Sequence, residues 1–352
     1  MPDTRLQTLR AQIDTLNLDL LELLNQRLAL VEEVQREKAA SGRALFDPQR
    51  ESEELDQLLL ANRGPMRADQ VRALYKEIFK LSLGHMQTGR RRELRVHRLP
   101  GAPDSVYTIR GHLFGQEPLL VAGPCSVESE EQMEAVAAHL AAIGVRFLRG
   151  GAYKPRTSPY SFQGLGVRGL VMMREAADRH GLAVVSEILD PRHLDAVLEH
   201  VDVLQVGTRN MYNYELLRLL GQTQKPVMIK RGFMATLEEF VLAAEYVAKE
   251  GNEQIILCER GIRTHEKWTR NTLDLAAVPL LRAETPFPIV VDVSHGTGRK
   301  DLMIPMAKAA LAAGAHAVML EVHPNPPLAL SDNEQQLDLD ETSAFVRAVL
   351  GR

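Results

Sequence analysis

Eight short apolar runs constrain this chain more than any other feature. They are LLVAG (119–123), FLRGG (147–151), AVVSE (183–187), VLQVG (203–207), VMIK (227–230), IILCERG (255–261), IVVDVSH (289–295) and AVMLEVH (317–323). Most are separated by stretches with helical periodicity, such as EEQMEAVAAHLAAIG and LEEFVLAAEYVAKEG. Near-continuous apolar strands alternating with helices predict a parallel sheet covered on both faces. Eight such units in about 245 residues match a (β/α)8 barrel in number and size. A doubly wound sheet is the alternative. A short hairpin, VYTIRGHLF, precedes the first unit.

The first 88 residues hold no strand-like run. Leu6, Leu9, Ile13, Leu16, Leu20, Leu23, Leu30 and Val34 recur at spacings of three and four, which draws one apolar stripe along a long helix ending near Ser41-Gly42. At 1.5 Å per residue that helix spans ~50 Å, too long for so small a module to cover alone. A homodimer sharing this helix is therefore expected. Asp47-Pro48 supplies an N-cap and a first-turn proline for a second helix through Leu60. A third runs from about Ala68 to Met86. The fold class is thus α/β, a barrel over residues 105–352 preceded by an all-α three-helix domain over residues 1–88. Residues 89–104 carry five arginines with Gly and Pro, and read as a solvated linker.

Composition removes several function classes. Lys and Arg number 42 against 46 Asp and Glu, so the basic surplus of a nucleic-acid binder is absent. No run approaches the ~18 apolar residues of a membrane span, and the opening MPDTRLQTLR lacks a signal-peptide core, so a cytoplasmic protein is expected. Two cysteines, Cys125 and Cys258, make no disulfide framework. Cys258 lies in the middle of an apolar run and reads as core packing.

Barrel enzymes carry their chemistry at the C-terminal ends of the strands. Those ends hold Cys125, Arg149, Glu187, Arg209, Lys230, Arg260, His295 and Glu321. Charged groups at so many buried strand ends are costly unless they converge. Cys125, His295, Glu321 and Asp332 combine a thiolate, an imidazole and two carboxylates, a set suited to a divalent first-row metal. Taken alone, Cys125 reads better as a buried structural thiol than as a ligand. Arg149, Lys154, Arg156, Arg209, Lys230 and Arg260 form a cationic set that calls for a strongly anionic ligand, with enough charge for two phosphates. Lys154 and Arg156 sit in a loop of about 17 residues, a length associated with function.

The strings GPCSVES, LRGGAYKPRTSPYSFQGLG, SEILDP, GTRNMYN, IKRG, ILCERGIRT, DVSHGTGR and EVHPNPPLALSD resemble the type Iβ 3-deoxy-D-arabino-heptulosonate 7-phosphate (DAHP) synthases. The related 3-deoxy-octulosonate 8-phosphate synthases share the barrel but differ in the KPRT loop. The resemblance implies condensation of phosphoenolpyruvate with erythrose 4-phosphate at the head of the shikimate pathway. It implies Cys125, His295, Glu321 and Asp332 as metal ligands, with Mn²⁺ foremost and Fe²⁺, Co²⁺ or Zn²⁺ as alternatives. It assigns phosphoenolpyruvate to Arg149, Lys154, Arg209, Lys230 and Arg260, with Glu187 ordering the attacking water. Arg156 and Thr157 would clamp the aldose phosphate, and Lys154 would assist proton transfer. Catalysis would thus fall to Lys154, Glu187 and His295.

The helical module is similar to the all-helical chorismate mutases. Arg27 interrupts the apolar stripe, and Lys38 lies on the same side; a charge in a helix seam is costly unless it meets an anion. Arg10, about 100° around the helix from Arg27, is placed to reach a partner's site. Arg10, Arg27, Lys38, Asp47, Arg50 and Glu51 match mutase positions. Where the family has a glutamine, this chain has Met86, which donates no hydrogen bond, with Gln87 next to it. The module is therefore expected to bind chorismate or prephenate, isomerise the former and mediate feedback inhibition. The alternative is a sensor and dimerisation module with negligible mutase activity. The resemblance also implies assembly to a homotetramer.

Overall fold

The computed structural model describes residues 2–40, 48–92, 94–155, 158 and 160–351. It divides into two units, Met1–Leu94 and Arg95–Arg352. In the first, α1 (Pro2–Ala40), α2 (Pro48–Ala61) and α3 (Ala68–Arg92) form the helical module. The stripe residues Leu6, Leu9, Ile13, Leu16, Leu20, Leu23, Leu30 and Val34 are each 47–65% exposed in the single chain. An amphipathic helix with its apolar face in water lacks the burial that stabilises helices of this kind. The helix α3 runs six residues beyond the expected Met86.

The second unit opens with a hairpin, β1 (Tyr107–Ile109) and β2 (His112–Phe114). Eight parallel strands follow: β3 (Leu119–Gly123), β4 (Phe147–Arg149), β5 (Ala183–Glu187), β6 (Val203–Val206), β7 (Val227–Lys230), β8 (Ile255–Glu259), β9 (Ile289–Asp292) and β10 (Ala317–Glu321). They close in the order β10-β3-β4-β5-β6-β7-β8-β9, so every strand has two neighbours and no edge remains. The expected barrel is the one observed, and the doubly wound alternative falls. Val121, Phe147, Val185, Val203, Met228, Ile256, Cys258, Val290 and Met319 fill its interior, and Tyr107, Ile109 and Phe114 of the hairpin pack beneath them. Cys258 is thus a core residue.

The segment expected as a solvated linker is otherwise. Residues 89–92 continue α3, while 95–104 pack on the barrel. Val96 is fully buried, and the Arg98 and Ser105 amides donate to the carbonyls of Glu284 and Pro286. Asp104 accepts from Arg98 and Arg282 and lies 3.1 Å from His316 Nε2. Arg98 donates to the Thr285 carbonyl of the barrel and pairs with Asp104.

Candidate active site

Every expected barrel residue that is described sits at the C-terminal rim. Arg149, Glu187, Lys230 and Glu321 are the last residues of β4, β5, β7 and β10. Cys125 follows β3, Arg209 lies in a 3₁₀ turn (Thr208–Asn210) after β6, and Arg260 follows β8. His295 lies in a short helix (Val293–Thr297), entered directly from β9. Arg156 and Thr157 lie outside the described residues. The rim encloses a cavity of about 330 Å³ lined by Arg149, Lys154, Glu187, Arg209, Lys230, Arg260, His295 and Asp332, and also by Phe233 and Arg270.

One corner gathers electron-pair donors. The ligand atoms of Cys125, Glu321 and Asp332 all lie within 4.8 Å of one another. His295 Nε2 is 3.2 Å from Glu321 Oε1 and 3.8 Å from Asp332 Oδ2. His295 Nδ1 is 2.7 Å from Asp292 Oδ2, and the His295 amide donates to Asp292 Oδ1 at 3.0 Å. Burial favours protonation of Asp292, but His295 and Lys230 outweigh it and hold the carboxyl well below its usual range. A carboxylate only accepts, so Nδ1 carries the hydrogen and Nε2 is left as a lone pair facing two carboxylates. Acceptors so close repel unless a cation lies among them. The donor set therefore fits a divalent first-row ion.

Asp332 reaches this corner through a left-handed backbone, φ 48°. Burial works to raise its pKa, but Arg270 and His295 pull it down to about 2. Burial, then the Glu321 carboxylate, push the Cys125 thiol up to about 11, so a cation is needed to favour its thiolate at neutral pH. Gln336 fixes the loop, accepting from the Cys125 amide at 3.0 Å and donating to Ser331 O at 2.8 Å.

The other side of the cavity is cationic. Arg149 Nη1 donates to Glu321 Oε1 at 3.0 Å, and Lys230 Nζ to Asp292 Oδ2 at 2.6 Å. Lys154 Nζ donates to Cys125 O at 2.7 Å and lies 3.1 Å from its Sγ. Arg149 Nε is buried with no acceptor among the described residues. Burial raises the Glu187 carboxyl above its usual range, against the pull of Lys154, Lys230, Arg149 and Arg209.

Two glycines permit the close approach of these groups. At Gly123 (φ +149°) a Cβ would lie 2.0 Å from Arg149 O, and at Gly207 one would lie 2.0 Å from Glu187 Oε1. Asp292, Arg270 and Phe233 escaped the sequence reading. Asp292 carried a faint signal, a carboxylate at the end of an apolar run three residues before a histidine.

In the helical unit, Arg27 is half-buried. It donates to Ser82 Oγ at 2.7 Å, lies 3.9 Å from Glu54 and sits 5.4 Å from the Phe79 ring centre. Glu51 and Lys38 are half-buried, and Arg10 and Arg50 are exposed. Asp47 and the side chains of Met86 and Gln87 lie outside the described residues.

Residues 107–350 match the DAHP synthetase I family, and residues 9–87 match chorismate mutase type II. A phospho-2-dehydro-3-deoxyheptonate aldolase of Thermotoga maritima is 58% identical over 221 residues, 63% of this chain and 65% of that protein. A 2-dehydro-3-deoxyphosphooctonate aldolase of Syntrophotalea carbinolica is 30% identical over 70% of this chain and 95% of its own length. The crystal structure of the Thermotoga maritima DAHP synthase superposes with a TM-score of 0.71 at 51% identity, covering 73% of this chain and 76% of that one. The deoxyheptonate relative is thus far more similar than the deoxyoctonate one, as the KPRT loop implies.

Proposed function

This chain belongs to the DAHP synthetase I family, and we propose that its barrel condenses phosphoenolpyruvate with D-erythrose 4-phosphate to DAHP and inorganic phosphate. The observation that carries this reading is the division of one rim into two halves. One is a thiol, an imidazole and two carboxylates; the other is a bank of cations with an orphaned Arg149 donor.

Cys125, His295, Glu321 and Asp332 would hold the metal, with Mn²⁺ foremost. The bound ion would act as a Lewis acid toward the aldehyde oxygen. Arg149, Lys154, Arg209, Lys230 and Arg260 bind phosphoenolpyruvate, and Arg156 and Thr157 take the phosphate of the aldose. C3 of phosphoenolpyruvate then forms a bond to the aldehyde carbon while Lys154 serves proton transfer to the aldehyde oxygen. Water ordered by Glu187 adds at C2, and the C2–O bond to phosphate breaks. A base is needed at that water, and the raised affinity of Glu187 for a proton suits it to the role.

Treatment with a chelator should abolish DAHP formation, and Mn²⁺ should restore it. Retained activity in a metal-free Cys125→Ala protein would remove the metal assignment.

For the helical module we propose chorismate binding at Arg27, Lys38, Arg50 and Glu51, with Asp47 and Gln87 completing the site and Arg10 entering from the partner of a homodimer. The uncovered stripe of α1 supports that pairing. Chorismate isomerisation and feedback inhibition of the barrel follow in this reading. The Met86 substitution favours a second one, a sensor with little catalysis, since a lost donor can cost ~10²–10³ in rate. Chorismate absorbance with purified protein separates the two, and unchanged synthase activity at saturating prephenate would remove feedback by this module.

A further inference from the structure

Most charges around the cavity are neutralised by a neighbour. Arg149 pairs with Glu321, Lys230 with Asp292, and Arg270 with Asp332. Arg231, behind the wall, pairs with Glu259 and Asp274. Arg209 and Arg260 differ. Among the described residues neither has a carboxylate within salt-bridge distance, and Arg260 makes only a long hydrogen bond, 3.4 Å, to the carbonyl of its own neighbour Gly261. What they share is one aromatic ring. The Arg209 and Arg260 guanidinium carbons lie 5.4 and 4.8 Å from the centre of Phe233. A third guanidinium, of Arg263, lies 4.4 Å from that centre, and the Arg263 amide donates to Phe233 O at 2.8 Å.

Two like charges brought together repel, and long arginine side chains lose rotamer freedom when held. Something must therefore attract them to this position before any anion arrives. A carboxylate would do so, but it would cancel the charge and compete with the ligand. The negative face of a benzene ring attracts a guanidinium without neutralising it. Phe233 comes from the loop after β7, Arg209 from that after β6, and Arg260 from the end of β8. The ring thus ties three consecutive rim elements.

We infer that Phe233 is a positioning residue: its ring holds Arg209 and Arg260 in place, still fully charged, for the phosphate group of the enolpyruvate substrate. This inference rests on the proposed synthase reading and goes beyond it, since the ring itself donates nothing to a phosphate. Arg263 is the third guanidinium of the cluster, and its amide anchors the platform to the β8 loop.

The test is phosphoenolpyruvate binding by calorimetry, alongside steady-state kinetics, in the full-length protein. Phe233→Leu should weaken phosphoenolpyruvate binding and raise its KM on the order of tenfold, with kcat, Mn²⁺ affinity and melting temperature close to wild type. Phe233→Tyr keeps the ring and should retain wild-type binding within about threefold. Fluorinated phenylalanines at 233 keep the shape but withdraw electrons from the face, so affinity should fall stepwise with each fluorine. A flat fluorine series, or a Phe233→Leu protein that binds like wild type, would overturn the inference while leaving the synthase reading intact. A wild-type protein that binds Mn²⁺ but no phosphoenolpyruvate would overturn both.

Discussion

Replacing Asp292 with Asn should damage the metal corner and the cationic wall together, because one carboxylate serves both. Asp292 is fully buried and takes Lys230 Nζ at 2.6 Å, His295 Nδ1 at 2.7 Å and the His295 amide at 3.0 Å. The Asn side chain has nearly the same shape but no charge, and half of its acceptor capacity becomes a donor. Lys230 is then left buried without a counter-charge, and breaking such a pair costs roughly 3–5 kcal/mol. For a unit of this size that is a fall of roughly 6–20 °C in melting temperature of the metal-free protein. The same change removes the acceptor that fixes the imidazole, and losses of this kind cost about 10–100-fold in metal affinity. Mn²⁺ titration against a chromophoric chelator, with melting of the metal-free protein, measures both quantities. Phosphoenolpyruvate binding should fall less than Mn²⁺ binding, because an unneutralised Lys230 attracts phosphate more strongly. An Asp292→Asn protein that binds Mn²⁺ within threefold of wild type and melts unshifted would refute the reasoning.

Gly207→Ala places a methyl carbon 2.0 Å from Glu187 Oε1; a displacement of about 1 Å should lower kcat on the order of 10²-fold in a folded protein, which kinetics with circular dichroism checks. Burial opposes ionisation of Asp104, but Arg98, His316 and Arg282 outweigh it and hold its pKa at about 2. Its folded pKa lies below the unfolded one, so its stabilisation is complete above about pH 4 and is lost as pH falls toward 2. After discounting for partial exposure the loss is about 1 kcal/mol; denaturant midpoints across that window should fall by about that much more in wild type than in Asp104→Asn, and equal falls in the two proteins would refute the assignment. Arg27→Ala should lower chorismate conversion by roughly 10²-fold or more while leaving basal DAHP formation unchanged, and equal chorismate rates in the two proteins would remove Arg27 from the mutase site.

Much of the fold could be read from local pattern. The apolar runs became strands within a few residues, because a strand covered on both faces is recorded in its own composition. The ends of those runs named Arg149, Glu187, Lys230 and Glu321 as rim residues without knowledge of any contact. The linker was misread because Arg98 looks like a solvated charge until the Thr285 carbonyl and Asp104 that receive it are in place. Phe233 looked like any half-buried aromatic, since nothing near it in the chain signals three guanidiniums.

The chain alone determined the barrel, the helical module before it and the kinds of chemical group at the rim, because period and composition act between neighbours in sequence. Tertiary structure decided which charges cancel and which stay available. Cys125 and Asp332 are 207 positions apart yet 3.6 Å from each other, and Lys230 meets Asp292 across 62. Arg149 and Lys230 are balanced by carboxylates, whereas Arg209 and Arg260 are held by a ring. Coulomb energies depend on separation in space and on the surrounding dielectric, and sequence distance records neither.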